Sequence, residues 1–133
     1  MKIIRFAAIL AILSTLVVIA GAAPAAAADD CVIINTPRSL KLAADCTTDS
    51  TIYVPDGASL DGQGHTITAV DPDGGKFLGA VVQNAGGSMN ITRLVVRGDL
   101  GATACDTGAN RLAGVRFDRA GGSITKSTIL NIN

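Results

Sequence analysis

Two stretches decide how this chain folds: "GGSMNITRLVV" at residues 86–96 and "GGSITKSTIL" at 121–130. They are nearly the same phrase, and each follows a run of alternating apolar residues. A third stretch, "IYVPDGASLDGQGHTIT" at 52–68, follows the same plan. Each copy opens on alternating apolar positions: Ile52 and Val54, then Val81 or Val82, then Val115 and Phe117. Each then passes a small-residue turn to an apolar residue, from Gly57 to Leu60, Gly86 to Met89 and Gly121 to Ile124. Each ends in a second β-rich run, at 65–70, 94–97 and 128–132. The phrases align on Ser59, Ser88 and Ser123.

Internal similarity at such spacing calls for a repeat architecture. The alternation by two, the Thr and Val content and the glycines exclude helical repeats. A regular leucine ladder is missing, and a propeller blade needs four strands over roughly 40 residues. What fits is a coil of roughly 20–25 residues bearing short strands at its corners. Two Gly- and Asp-rich excursions, 71–79 and 98–114, lengthen the later coils and read as outward loops. One coil cannot bury its inward residues alone. A coil stacked on it supplies a parallel ladder and places like side chains above one another. The predicted inward set is Ile52, Val54, Leu60, Ile67, Val82, Ile91, Leu94, Val96, Val115, Phe117, Ile124 and Ile129. Register is open by a residue or two around Met89–Ile91, where a slip of one would exchange inside and outside.

The ends and the composition set the compartment. Lys2 and Arg5 precede an apolar run at 6–20, and "GAAPAAAA" follows, with Ala26 and Ala28 ahead of "DDC". This is the pattern of a secretory signal peptide over 1–28, cut after Ala28; the run is short for a membrane span. The remaining 105 of 133 residues make one modest domain, 29–133. No membrane span is expected once the leader is cut. Without the leader, 9 basic residues face 11 acidic ones, and every acidic residue is Asp. Asp favours turns and caps where Glu favours helices, so the composition describes a chain rich in strands and turns. The basic residues are scattered, and with one Tyr and no Trp the chain lacks base-stacking platforms, so no nucleic-acid partner is expected. Export permits disulfides. Of the three cysteines, Cys31 and Cys46 are the favoured pair, closing a short loop worth about 3 kcal/mol in the chain-entropy view. Cys105 is then odd: free, paired with another molecule, or separated from its partner.

"ASLDGQGHTITAV" at 58–70 resembles the first full turn of right-handed parallel β-helix proteins of the pectin-lyase-like superfamily, and "NITRLVVRG" at 90–98 resembles the rung that follows. The resemblance spans roughly 32–133. It implies an all-β, right-handed parallel β-helix (solenoid) of about three turns plus an N-terminal cap, with a disulfide in the cap. Members usually carry many more turns, and "LNIN" stops inside a predicted strand. The sequence therefore reads as the N-terminal part of a longer solenoid.

The chemistry-bearing residues are sparse. His65 is the only His, and Asp61 lies near it. Asp61 and the glycines read as a tight corner, with His65 opening the next strand. Asp71 and Asp73 in "DPDGG" could offer oxygens to Ca²⁺, yet the EF-hand spacing is absent and the segment reads as a Pro-Asp-Gly turn. Lyases of the family hold Ca²⁺ on Asp side chains and use an Arg base. Arg93, Arg97, Arg116, Arg119 and Asp118 are the outward residues of those types here, and none sits in a matching signature. Of these, Arg93, Arg97, Arg116 and Asp118 are the candidates for binding; catalytic residues are not identified. Asn90-Ile91-Thr92 fits the glycosylation pattern, but Asn90 reads as a corner residue whose amide bonds the neighbouring turn, as do Asn84 and Asn131. No nucleophile elbow, P-loop or zinc-protease motif occurs.

Two functions follow as expectations. One is an exported, secreted or cell-surface β-helix scaffold without catalytic machinery, contacting polysaccharide or other cell-envelope components. The other is the N-terminal part of a polysaccharide lyase or glycoside hydrolase, implied by the resemblance alone.

Overall fold

A computed structural model describes residues 29–100 and 112–132. These residues are all-β: twelve strands and no helix. The strands are β1 (Ile33–Thr36), β2 (Ser39–Leu42), β3 (Cys46–Thr48), β4 (Ile52–Val54), β5 (Ala58–Asp61) and β6 (Thr66–Val70). They continue with β7 (Ala80–Asn84), β8 (Ser88–Thr92), β9 (Val95–Asp99), β10 (Ala113–Arg116), β11 (Gly121–Thr125) and β12 (Thr128–Leu130). The leader (1–28), Cys105 and most of the 98–114 excursion lie outside the described residues.

Three sheets form. Sheet A has the order β1-β2-β5-β8-β11, sheet B β12-β9-β6-β3 and sheet C β10-β7-β4. Every pairing is parallel except β1 with β2. From β2 onward the chain enters the sheets in fixed rotation, A then B then C, so each strand pairs with strands one pass earlier and one pass later. This is why the apolar residues recur at long intervals and not in hairpins.

Stacking sets the core. Leu40, Leu60, Ile91 and Ile124 are register partners in sheet A. Cys46, Ile67, Val96 and Ile129 align in sheet B, and Ile52, Val82 and Val115 in sheet C. Of the predicted inward residues, Val54, Leu60, Ile67, Val82, Ile91, Leu94 and Val96 are buried, while Ile52, Val115 and Phe117 are half-buried against the same cluster. Ile124 and Ile129 remain 41% and 44% exposed. They hold their columns in the last described pass, where no further strand among the described residues pairs with β11 or β12.

The register corrects the alignment of the repeated phrase. Ser59 faces Asn90, and Asn90 faces Ser123, while Ser88 faces Gly121. The middle copy is therefore displaced by two residues from the serine alignment. An even displacement preserves inside and outside, so Met89 and Ile91 are both buried and Asn90 is exposed. Asn90 is thus a strand residue, not a corner one, and its Oδ1 accepts the Ser123 hydroxyl at 2.9 Å.

The 71–79 excursion also departs from expectation. Phe77 turns back into the core and is buried, while Asp71 Oδ1 accepts the Phe77 N–H at 2.9 Å and shapes that return. A large apolar side chain gains roughly 1.5–3 kcal/mol by leaving water, enough to hold a loop inward.

The first-pass end is covered in sheet A and in part in sheet B. β1 lies antiparallel on β2, and the Asp30 N–H donates to the Thr47 carbonyl at 3.1 Å. Cys31 and Cys46 are joined by a disulfide, with Cα atoms 4.9 Å apart, which ties this segment beneath the Cys46 column.

Candidate functional site

Sheet C carries the most distinctive outward row. In "IYV", Ile52 and Val54 turn to the core and Tyr53 turns out, because successive side chains alternate across a strand. Tyr53 is 58% exposed, although it is the only Tyr in the chain. Its register partner is Gln83 of β7, and the partner of Gln83 is Arg116 of β10. A phenol ring, a carboxamide and a guanidinium therefore follow one another at the strand spacing of about 4.8 Å. Arg116 is oriented by its Nη2, which donates to the Gly79 carbonyl at 3.2 Å. The 71–79 excursion thus stands beside the row and helps aim it. The row offers a flat apolar ring and planar amide and guanidinium donors on a rigid sheet.

The other predicted residues are distributed around the perimeter. Arg93 turns the corner from sheet A to sheet B with φ 51°. Its Nε donates to Asp61 Oδ1 at 3.0 Å, and its Nη2 bonds the other carboxylate oxygen. The Arg93 hydrogen bond holds the Asp61 carboxyl below its ordinary value of 3.8; partial burial opposes this, and the Gln63 N–H assists it. Arg97 is an exposed residue of β9 in sheet B, with Thr68 and Leu130 as register partners. Asp118 lies at the corner after β10, where its backbone bonds the Asn84 side chain. Arg93, Arg97, Arg116 and Asp118 thus occupy two sheets and two corners.

His65 finds a partner that its neighbours in sequence do not suggest. Its Nδ1 lies 3.3 Å from Oδ1 of Asp45, one pass earlier, and that oxygen also accepts the Thr66 N–H at 2.8 Å. Asp61 is engaged with Arg93 instead. Asp71 binds the Phe77 N–H, while Asp73 is exposed on the turn closed by the Gly75 N–H to Pro72 carbonyl bond. Asp30, Cys31 and Cys46 cluster with ligand atoms within 4.8 Å of one another, but both sulfurs are committed to the disulfide and cannot serve as thiolates.

Sequence reasoning passed over Tyr53 and Gln83. The available signal was the lone aromatic between two β-branched core residues; only the register places Gln83 and Arg116 in line with it. No helix among the described residues is long and apolar enough to cross a membrane. No known protein family, curated protein or solved structure matches the chain.

Proposed function

We propose that the chain is an exported right-handed parallel β-helix, similar to the pectin-lyase-like superfamily, that acts as a scaffold contacting polysaccharide along the outer face of sheet C. The observation that carries the contact is the in-register row Tyr53–Gln83–Arg116. The rung spacing is close to the length of one sugar in an extended 1,4-linked chain. Successive sugars would meet the Tyr53 ring and then the Gln83 and Arg116 donors. The winding is supported by the rotation of the strands through three parallel sheets. Export is supported by the leader-like residues 1–28 and by the Cys31–Cys46 disulfide, which persists in oxidising compartments.

The test is affinity electrophoresis of the chain in gels containing polygalacturonate or a neutral 1,4-linked glucan, with and without Ca²⁺. Retardation is expected in at least one gel, and Tyr53→Ala should abolish most of it. Migration unchanged in every polysaccharide, or retardation equal in Tyr53→Ala, would refute the contact. Release of unsaturated or reducing ends during the same incubation would favour the lyase or hydrolase reading over the scaffold.

A further inference from the structure

We propose that Asp73 is a site of spontaneous covalent modification, where the chain converts to isoaspartate through a cyclic imide shared with Gly74. The chain holds three Asp-Gly pairs, at 56–57, 61–62 and 73–74. Glycine leaves the backbone nitrogen after an aspartate unshielded, so sequence alone ranks the three alike. The fold separates them.

Two of the pairs are built into the stacking of the passes. The Gly57 N–H donates to the Ser88 carbonyl at 3.0 Å, and Asp56 Oδ1 accepts the Ser88 N–H at 2.9 Å. The Gly62 N–H donates to the Thr92 carbonyl at 2.9 Å, and Asp61 Oδ1 accepts from the Gln63 N–H and from Arg93 Nε, each at 3.0 Å. At both pairs the attacking nitrogen and the carboxyl it would attack are held by the pass beside them. Arg93 also keeps the Asp61 carboxyl as the anion, which is a poor electrophile.

Asp73 and Gly74 stand outside that ladder. Both are exposed, at the centre of the turn closed by the Gly75 N–H to Pro72 carbonyl bond of 3.0 Å. Among the described residues no carbonyl accepts the Gly74 N–H and no donor holds the Asp73 carboxylate. A Cβ placed on Gly74 would meet nothing within 4 Å, so a ring has room to close.

The chemistry needs only water. The Gly74 nitrogen attacks Cγ of the protonated Asp73 carboxyl, and the N–Cγ bond forms as the nitrogen's proton and the carboxyl hydroxyl leave as water. Water then adds to one of the two ring carbonyls. Breaking the new N–Cγ bond restores aspartate. Breaking the original peptide bond leaves the main chain running through Cγ, with a free α-carboxylate and unchanged mass. The main chain gains one carbon in the turn, and the inward columns are untouched.

The experiment ages the full chain at neutral pH in buffer and, with the disulfide reduced, in concentrated urea. Peptide isomers are then separated by chromatography and placed by electron-transfer fragmentation, with far-UV circular dichroism on the buffered samples. In buffer, isoaspartate at 73 should exceed that at 56 or 61 at least about tenfold, the weight of a held N–H and carboxylate. In urea the three sites should convert at similar rates, because only the fold distinguishes them. Equal accumulation at the three sites in buffer, or accumulation chiefly at 56 or 61, overturns the proposal. So does a site at 73 that converts in urea and not in buffer, or a preference for 73 that persists undiminished in urea.

Discussion

The side chain of Asn84 holds the backbone of Asp118 by both of its polar atoms. Oδ1 accepts the Asp118 N–H at 2.6 Å, and Nδ2 donates to the Asp118 carbonyl at 3.0 Å. Nδ2 also donates to the Gly86 carbonyl. Asn84 is buried in the core column, level with Val54 one pass earlier. Its amide stands in for a strand at the corner where the β7–β10 ladder gives out. Asn84→Leu should therefore cost about 1–3 kcal/mol, because it removes hydrogen bonds to the part-buried backbone of Asp118 and Gly86. Urea unfolding checks this, and an unchanged midpoint would show that the amide is dispensable.

Close stacking makes Gly62 indispensable for space. A Cβ on Gly62 would lie 2.6 Å from both the carbonyl oxygen and the Cα of neighbouring-pass residues Arg93 and Leu94. Both are backbone atoms and cannot rotate away. Gly62→Ala should destabilise the fold by about 1–3 kcal/mol, as overpacking does. Gly64, by contrast, has open space around its Cβ position but a φ of +89°. Gly64→Ala should cost only the strain of that backbone. A larger fall in thermal midpoint for Gly62→Ala than for Gly64→Ala is the expected ranking.

The covering segment depends on its covalent tie. Reducing the disulfide, or making Cys31→Ser with Cys46→Ser, should lower stability by about 2–4 kcal/mol. Hydrogen exchange should then quicken first in β1 and β3, since the tie joins the segment leading into β1 to the first residue of β3. Uniform exchange across all three sheets would argue against a local role.

Asp61 supplies the pH dependence. Its folded pKa is lowered by Arg93, so its contribution is fully present above the ordinary value of 3.8 and is lost as pH falls through the lower folded value. The stability advantage of the wild type over Asp61→Asn should be constant near neutrality and shrink during acidification below that point. Parallel stability curves for the two proteins across the acid range would contradict the pairing.

Much of the fold was legible because identical side-chain types recur wherever one strand lies on the next. The alternation in "IYV" marked an inward column, while that in 88–92 left the register open, and the short cysteine interval marked the tie. The serine repeat misled by two residues because Gly and Ser serve corners and outward strand positions equally well. Asn84 and Thr48 were not foreseeable as core residues. Thr48 is buried by bonding locally, its hydroxyl donating to the Ser50 carbonyl at 2.8 Å, and this hydrogen bond leaves no periodic trace. The Asp45–His65 and Asp61–Arg93 contacts join adjacent passes, so their partners are distant in sequence and only register reveals them.

The central claim is the register of the passes, and cross-linking tests it most directly. Ser59 and Asn90 are Cα partners on adjacent parallel strands, a separation of about 4.8 Å that a disulfide spans. Ser59 and Ser88, which the repeated phrase would pair, are offset by two residues and lie roughly 8 Å apart. Cysteine pairs at 59/90 and at 59/88, each made with Cys105→Ser and oxidised under the same conditions, can be read by mass mapping of the linked peptides. A bond at 59/90 forming readily and one at 59/88 failing to form is the predicted result. The reverse preference, or no bond at 59/90 in a folded protein, would contradict the account.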